Sequence, residues 1–248
     1  MKKTLLMLAA ALAAIGSVHA ADKGAAHWDY KGKAGTAHWG ELAQDFSACK
    51  LGKAQSPIDI RHEKAGAPAP IGFGYTASTG DIVNTGHTVQ VNLAQGGAAH
   101  LASGDYKLVQ VHFHTLSEEK IHGKRYPLVA HLVHRNDAGE LAVVAVLFRQ
   151  GKENATLKPV FTGLPAHAGD QHPVDGTFDA GALLPTQHAY YAYMGSLTTP
   201  PCSEGVHWQV MTQPVEISKA QLSAFRKLYP MNARPVQPLN GRVVEVTG

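Results

Sequence analysis

Val129-Ala130-His131-Leu132-Val133-His134-Arg135, Asn136-Asp137-Ala138-Gly139 and Leu141-Ala142-Val143-Val144-Ala145-Val146-Leu147-Phe148-Arg149-Gln150 read together as a β-hairpin. Both arms are apolar and rich in β-branched residues, and the Asn, Asp and Gly between them tolerate the positive φ of a tight turn. Outward from this hairpin, Ile82 to Val83, Thr88 to Leu93, Tyr106 to His114 and Val206 to Val215 are further short apolar or alternating runs, and they too read as strands. Ser218 to Tyr229 is the clearest helix: Ser218 caps its first turn, Leu222, Phe225 and Leu228 recur at helical spacing, and Pro230 stops it. The Gly/Pro-rich runs 66–74 and 163–185 read as ordered surface loops. No linker, repeat or charge block divides the chain. The expectation is a mainly β (α+β) single domain, a large sheet with short peripheral helices.

The chemistry sits on the strands. In Gln110-Val111-His112-Phe113-His114 the two-residue spacing puts both imidazoles on one strand face and Phe113 on the other. If the strand carrying His131 is the antiparallel neighbour, its imidazole completes a three-nitrogen set with a fourth position open to water, an arrangement suited to catalytic zinc. The chain has 15 histidines, so a pair at strand spacing also arises by chance. Parity places His134 opposite His131, a structural position, while His62, His167, His172 and His188 sit in loop-like surroundings and read as solvated.

Lys2 and Lys3, the apolar run from Leu5 to Ile15 and Val18-His19-Ala20 read as a secretory signal cleaved after Ala20. That leaves 21–248 as the domain and predicts a periplasmic or secreted protein without a membrane anchor. No other run approaches the roughly 18–20 apolar residues a bilayer span requires. Net charge is +3, and +1 without Lys2 and Lys3, which gives no electrostatic case for nucleic acid or a membrane surface. Cys49 and Cys202 are the only cysteines; in an oxidising compartment one disulfide is expected, the alternative being two free thiols.

Gly195-Ser196-Leu197-Thr198-Thr199-Pro200-Pro201, followed by Glu204 and Val206-His207-Trp208, resembles the α-class carbonic anhydrases, in particular exported bacterial ones. His27-Trp28-Asp29-Tyr30, Gln55 to Ile60, Asn84-Thr85-Gly86-His87, Gln110 to His114, Ser117-Glu118 and Asn232 to Leu239 agree in order, so the resemblance spans about residues 27 to 242. It implies a twisted, mostly antiparallel sheet of about ten strands, with zinc held by His112, His114 and His131 at the foot of a cleft. The implied reaction is reversible hydration of carbon dioxide to bicarbonate and a proton, by zinc-hydroxide attack with a histidine proton shuttle.

By the same resemblance Thr198 orients the hydroxide and donates to Glu118. Val133, Val143, Leu197, Val206 and Trp208 form the carbon dioxide wall, and Thr199 contacts bicarbonate. His87 is the proton shuttle, with Tyr30, Thr85 and Gln90 lining its water network. Gln110 holds one imidazole, of His112 or His114. Cys49 and Cys202 match a disulfide of exported members that would anchor the catalytic loop. Sulfonamides and anions are the implied inhibitors, and the chain would be a monomer or homodimer. One position departs from the pattern: Val129 stands where the family usually has a Glu that accepts a hydrogen bond from the third histidine. Val cannot accept one, so His131 is expected to lean on water or a backbone carbonyl, and Val129→Glu to tighten zinc binding. Val129 is also the one feature favouring the alternative, a non-catalytic carbonic-anhydrase-related binding protein. No His-Glu-x-x-His helix suggests a zinc peptidase.

Overall fold

The computed structural model describes residues 26–66 and 68–247; the expected leader, 1–20, lies outside the described residues. Among these, thirteen strands form one sheet. Its centre comprises β1 (Gly80–Asn84), β2 (Val89–Leu93), β3 (Gly104–His114), β4 (Leu128–Arg135), β5 (Leu141–Gln150), β6 (Tyr190–Ser196) and β7 (Glu204–Met211), in the spatial order β1-β2-β3-β4-β5-β7-β6. Neighbours run antiparallel except β5 and β7, which are parallel.

The hairpin forms as the sequence requires: Arg135 pairs with Leu141, Asn136 N–H donates to Glu140 O at 3.0 Å, and Gly139 takes φ +86°, a conformation costly for any residue with a Cβ. The helix is Lys219–Leu228. Ser218 Oγ accepts from Gln221 N–H while the Gln221 side chain accepts from Ser218 N–H, a reciprocal cap that satisfies two otherwise orphaned donors.

Several sequence-based expectations need correction. Beyond the expected ten or so strands, short ones at Gly72–Tyr75 and Gln171–Pro173 and a 3-10 turn at Ala180–Leu183 occupy parts of the runs read as loops. The run 206–215 is interrupted: β7 ends at Met211, and Val215–Ile217 is a separate strand paired in parallel with β5. β6 is a strand the pattern did not announce. Most of its residues are buried on both sides, so it lacks the alternation that marks a half-exposed strand.

The central strands carry two different faces. On the far face Val91, Val111, Phe113, Ala130, Leu132, Val144 and Val146 join the larger apolar core. The C-terminal helix covers it with Leu222 and Phe225, the ring of Phe225 lying 6.1 Å from that of Phe113. Burying such side chains stabilises the fold by about 1.5–3 kcal/mol each. A bulge between Leu108 and Gln110 sends Leu108 into this core, against strict alternation from His112. The near face of β3, β4, β5 and β7 carries His112, His114, His131 and a second apolar cluster containing Val129, Val143, Ala145, Val206 and Trp208.

Candidate metal centre

β3 and β4 bring the three expected imidazoles together. His112 pairs directly across from His131, and one nitrogen from each of His112, His114 and His131 lies within 4.8 Å of the others. His114 and His131 are buried, while His112 is partly open. Burial, joined for His112 and His131 by the charge of neighbouring imidazoles, lowers all three pKa values, that of His114 to about 4. The rings are therefore neutral, the form that ligates a metal.

Each ring is oriented from behind. His112 Nδ1 donates to Gln110 Oε1 at 2.9 Å, so Gln110 serves His112, the question its spacing left open. His114 Nδ1 donates to Asn232 O at 2.7 Å. Asn232 is itself fixed, its amide donating to the His87 and Phe113 carbonyls and accepting from Thr115 N–H. These contacts turn the other nitrogen of each ring toward the common centre. His114 Nε2 is fully buried there without a hydrogen-bond partner.

His131 is gripped differently. Glu118 Oε2 lies 3.6 Å from His114 Nε2 and 3.9 Å from His131 Nδ1, so these nitrogens face one small volume. His131 Nε2 points the other way, to Glu119 Oε1 at 3.5 Å. The carboxylate nearest that nitrogen thus arrives from another segment, without closing a hydrogen bond to it. Both Glu118 and Glu119 are completely buried.

Glu118 Oε1 accepts from Arg234 N–H at 2.7 Å. Burial first, then the charge of Glu119, raises its carboxyl well above the ordinary range, and the Thr198 hydroxyl beside it pulls it partly back. Thr198 does not complete a hydrogen bond to Oε2, which stays unpaired. Arg234 is an organising residue that the sequence reading did not single out. It is buried, donates to Gln55 Oε1, Ser56 O and Cys49 O, and lies over the Trp39 ring.

Val133, Val143, Leu197, Val206 and Trp208, the residues expected to form an apolar wall, belong to one cluster, and the Trp208 ring meets that of His131 edge-on with centroids 5.0 Å apart. The loop carrying Thr198 and Thr199 is tied down by Leu197 N–H to Ser203 O and Cys202 N–H to Thr199 O. Cys202 forms a disulfide with Cys49, 153 residues away in sequence. Ser56 and Ser196 exchange hydrogen bonds at the end of β6. Gly195 permits that approach, since a Cβ would strike Ser56 Oγ and Trp208.

His87 stacks on Trp28 with ring centroids 3.6 Å apart, and its Nε2 donates to Trp28 O at 2.9 Å. With Tyr30, Tyr229 and Asn232 it lines a cleft of about 270 Å³. Tyr30 is buried and its hydroxyl lacks a partner. Thr85 Oγ1 donates to Thr88 O and accepts from Thr88 N–H, closing its own turn. Gln90 lies directly across from His112 and donates to Asn92. A larger surface groove of about 590 Å³ lies by the turn Asn136 to Gly139 and holds none of these residues.

A fold of this kind, with three imidazoles on the near face of its sheet, defines a class of metalloenzyme. Residues 34–248 match the family described as eukaryotic-type carbonic anhydrase. A carbonic anhydrase of Pectobacterium atrosepticum is 42% identical over 238 residues, covering 96% of this chain and 97% of the relative. Among solved structures, the α-carbonic anhydrase of Thermovibrio ammonificans in complex with sulfanilamide superposes with a TM-score of 0.88 at 44% identity, covering 90% of this chain and all of that one. A carbonic anhydrase of Chlamydomonas reinhardtii in complex with acetazolamide superposes at 0.78 with 34% identity, covering 89% and 99%. The chain belongs to the eukaryotic-type, or α, carbonic anhydrase family. It is a carbonic anhydrase, and hydration of carbon dioxide is the general reaction of its family.

Proposed function

We propose that this carbonic anhydrase is a zinc enzyme, exported to the periplasm or medium after cleavage following Ala20, that converts carbon dioxide to bicarbonate and a proton with His87 as proton shuttle. The observation that carries the reading is the convergence of three neutral imidazoles within 4.8 Å beside an apolar wall. The donor set fits zinc: three imidazole nitrogens suit its borderline character and leave a fourth position. The buried, partnerless Nε2 of His114 is explained once a metal is its partner. When bound, zinc supplies a water ionised near pH 7 as the nucleophile.

The remaining steps belong to the chain's own residues. Glu118, anchored by Arg234 N–H, would accept a hydrogen bond from the Thr198 hydroxyl in the working enzyme, leaving the Thr198 oxygen to accept one from the nucleophile. That fixes the direction of attack. Val133, Val143, Leu197, Val206 and Trp208 offer carbon dioxide, which has no proton to donate, an apolar seat. Thr199, at the mouth, contacts departing bicarbonate. His87 carries the proton outward, with Tyr30 beside it in the cleft and Thr85 and Gln90 as further members of its water network, a role that an imidazole can fill. Sulfonamides and anions would inhibit by displacing the water that zinc supplies, in keeping with the sulfanilamide and acetazolamide complexes of the relatives.

Stopped-flow hydration of carbon dioxide, measured with metal content and with His112→Ala as control, tests this. Fast, sulfonamide-sensitive hydration with one zinc per chain, lost in the variant, is expected. Stoichiometric zinc without hydration would refute the roles given to Thr198 and Glu118.

A further inference from the structure

We propose that Glu119 is the positioning residue for His131, supplying from a loop the carboxylate that β4 lacks because Val129 occupies the strand position beside that ligand. The inference rests on the reading that His112, His114 and His131 hold zinc, and it concerns how the third is kept in place.

Four observations carry it. Glu119 Oε1 stands 3.5 Å from His131 Nε2, and among the described residues no other basic side chain comes within 4 Å of the Glu119 carboxylate. Both Glu119 oxygens and His131 Nε2 are buried with no hydrogen-bond partner, and among the described residues Glu119 Oε1 is the one carboxylate oxygen within 4 Å of that nitrogen. A lone buried carboxylate costs stability, and its retention needs a reason. The segment that carries it is held rigidly: Ser117 Oγ donates to Glu119 O, Ser117 N–H donates to Tyr126 O, Tyr126 N–H donates to Ser117 Oγ, and Lys120 N–H donates to Ile58 O. Finally, Glu118 and Glu119 embrace one ring from its two nitrogens, Nδ1 at 3.9 Å and Nε2 at 3.5 Å. With Nδ1 turned toward the triad, Nε2 carries the ring proton and needs an acceptor.

Val129 explains why the acceptor comes from elsewhere. It is two residues before His131 on the same face of β4, fully buried in the apolar cluster with Val143 and Leu147. By strand parity it holds the position from which a strand-borne acceptor would approach His131. Glu119 lies only a few residues along the chain from His114, so a single short segment delivers one ligand and the carboxylates that flank another. A consequence is that Val129→Glu in the otherwise unchanged protein does not tighten zinc binding, because it adds a second carboxylate where one already serves.

Zinc release to a chelator, followed with a zinc-responsive dye on the purified full-length holoprotein, separates the possibilities. Wild type is measured first: one zinc per chain, absent in His112→Ala, upholds the metal site, and a wild type without zinc overturns both readings. Glu119→Leu is expected to release zinc about 10- to 100-fold faster, and the isosteric Glu119→Gln, which keeps an acceptor but not the charge, to fall between. In the Glu119→Leu background Val129→Glu is expected to restore slow release. The metal-free Glu119→Leu protein is expected to melt no lower than wild type, since Glu119 makes no side-chain hydrogen bond there. Stoichiometric zinc with equal release rates in wild type, Glu119→Gln and Glu119→Leu would overturn the proposal while sparing the site. So would a folded double variant that stays fast, or a lowered metal-free melting temperature with unchanged release. If Glu119→Leu does not fold, Glu119→Gln decides: several-fold faster release supports the assignment and an unchanged rate overturns it.

Discussion

Phe113 and its neighbours His112 and His114 stand on the same strand and do opposite work. The far face of β3, β4 and β5 is apolar, packed under the C-terminal helix, and its one buried imidazole, His134, is paired with the Tyr75 hydroxyl at 2.8 Å. The near face gathers His114, His131, Glu118 and Glu119 in full burial and leaves polar atoms of all four without partners. An interior that buries unsatisfied polar groups is less stable than one that does not. The difference teaches that stability and chemistry are divided here by strand parity: alternate residues of one sequence segment hold the fold together or hold a reactive site open.

The sharpest way to break that division is to truncate adjacent residues of β3. His114→Ala should lower carbon dioxide hydration on the order of 10³-fold or more, because in the proposed zinc mechanism the nucleophile is lost with the metal, while the protein stays folded. Zinc content, turnover and a melting curve on one preparation check this. An unfolded His114→Ala would show that the near face is structural after all.

Reduction of the Cys49–Cys202 disulfide tests whether the near face depends on a distant tether. For the 153-residue separation the chain-entropy estimate is a loss of up to about 5 kcal/mol, often less in practice. Because Cys202 N–H holds Thr199 O, turnover should fall in parallel. Equal turnover of the reduced and oxidised forms, assayed while both remain folded, would detach the tether from the site.

Phe113→Ala is the far-face counterpart and should destabilise by about 3–5 kcal/mol in denaturant melts, with zinc stoichiometry unchanged in the folded fraction. Loss of zinc from folded Phe113→Ala would mean that the faces are coupled through β3.

The smallest effect expected is the titration of His134. Burial lowers its pKa from 6.5 to about 4 in the folded protein. The unfolded chain therefore binds the proton first, so the stabilisation is complete above pH 6.5 and is lost as pH falls toward 4. Between pH 7.5 and 5 this amounts to about 2 kcal/mol. In His134→Gln the decline of stability over that interval should be shallower by about this amount. A decline as steep as in wild type would place the acid sensitivity on the near face.

The sequence by itself determined the local elements and their parity. Repetition every two residues fixes His112 and His114 on one face and Phe113 on the other, Asn136 to Gly139 fixes the hairpin of β4 with β5, and Ser218 fixes the start of the helix. These are consequences of backbone period and turn chemistry within short windows. The pairing of β4 with β3 that sets His131 across from His112 came only with the fold. The ordered motifs shared with a known family pointed to the remaining site residues. Tertiary structure alone decided what stands behind the ligands. Asn232 acts through a main-chain carbonyl, which has no signature in side-chain type. Arg234 draws Gln55, Ser56, Cys49 and Glu118 together from segments far apart in the chain. Glu119 stands in the charged run Glu118-Glu119-Lys120, and its burial beside His131 depends on how the 115–127 segment is tied to Tyr126 and Ile58, which no local pattern encodes. The same holds for β6, whose burial on both sides erased the alternation that announces a strand. Local sequence sets which way a side chain faces, whereas its partners depend on chain segments that only the completed fold brings within reach.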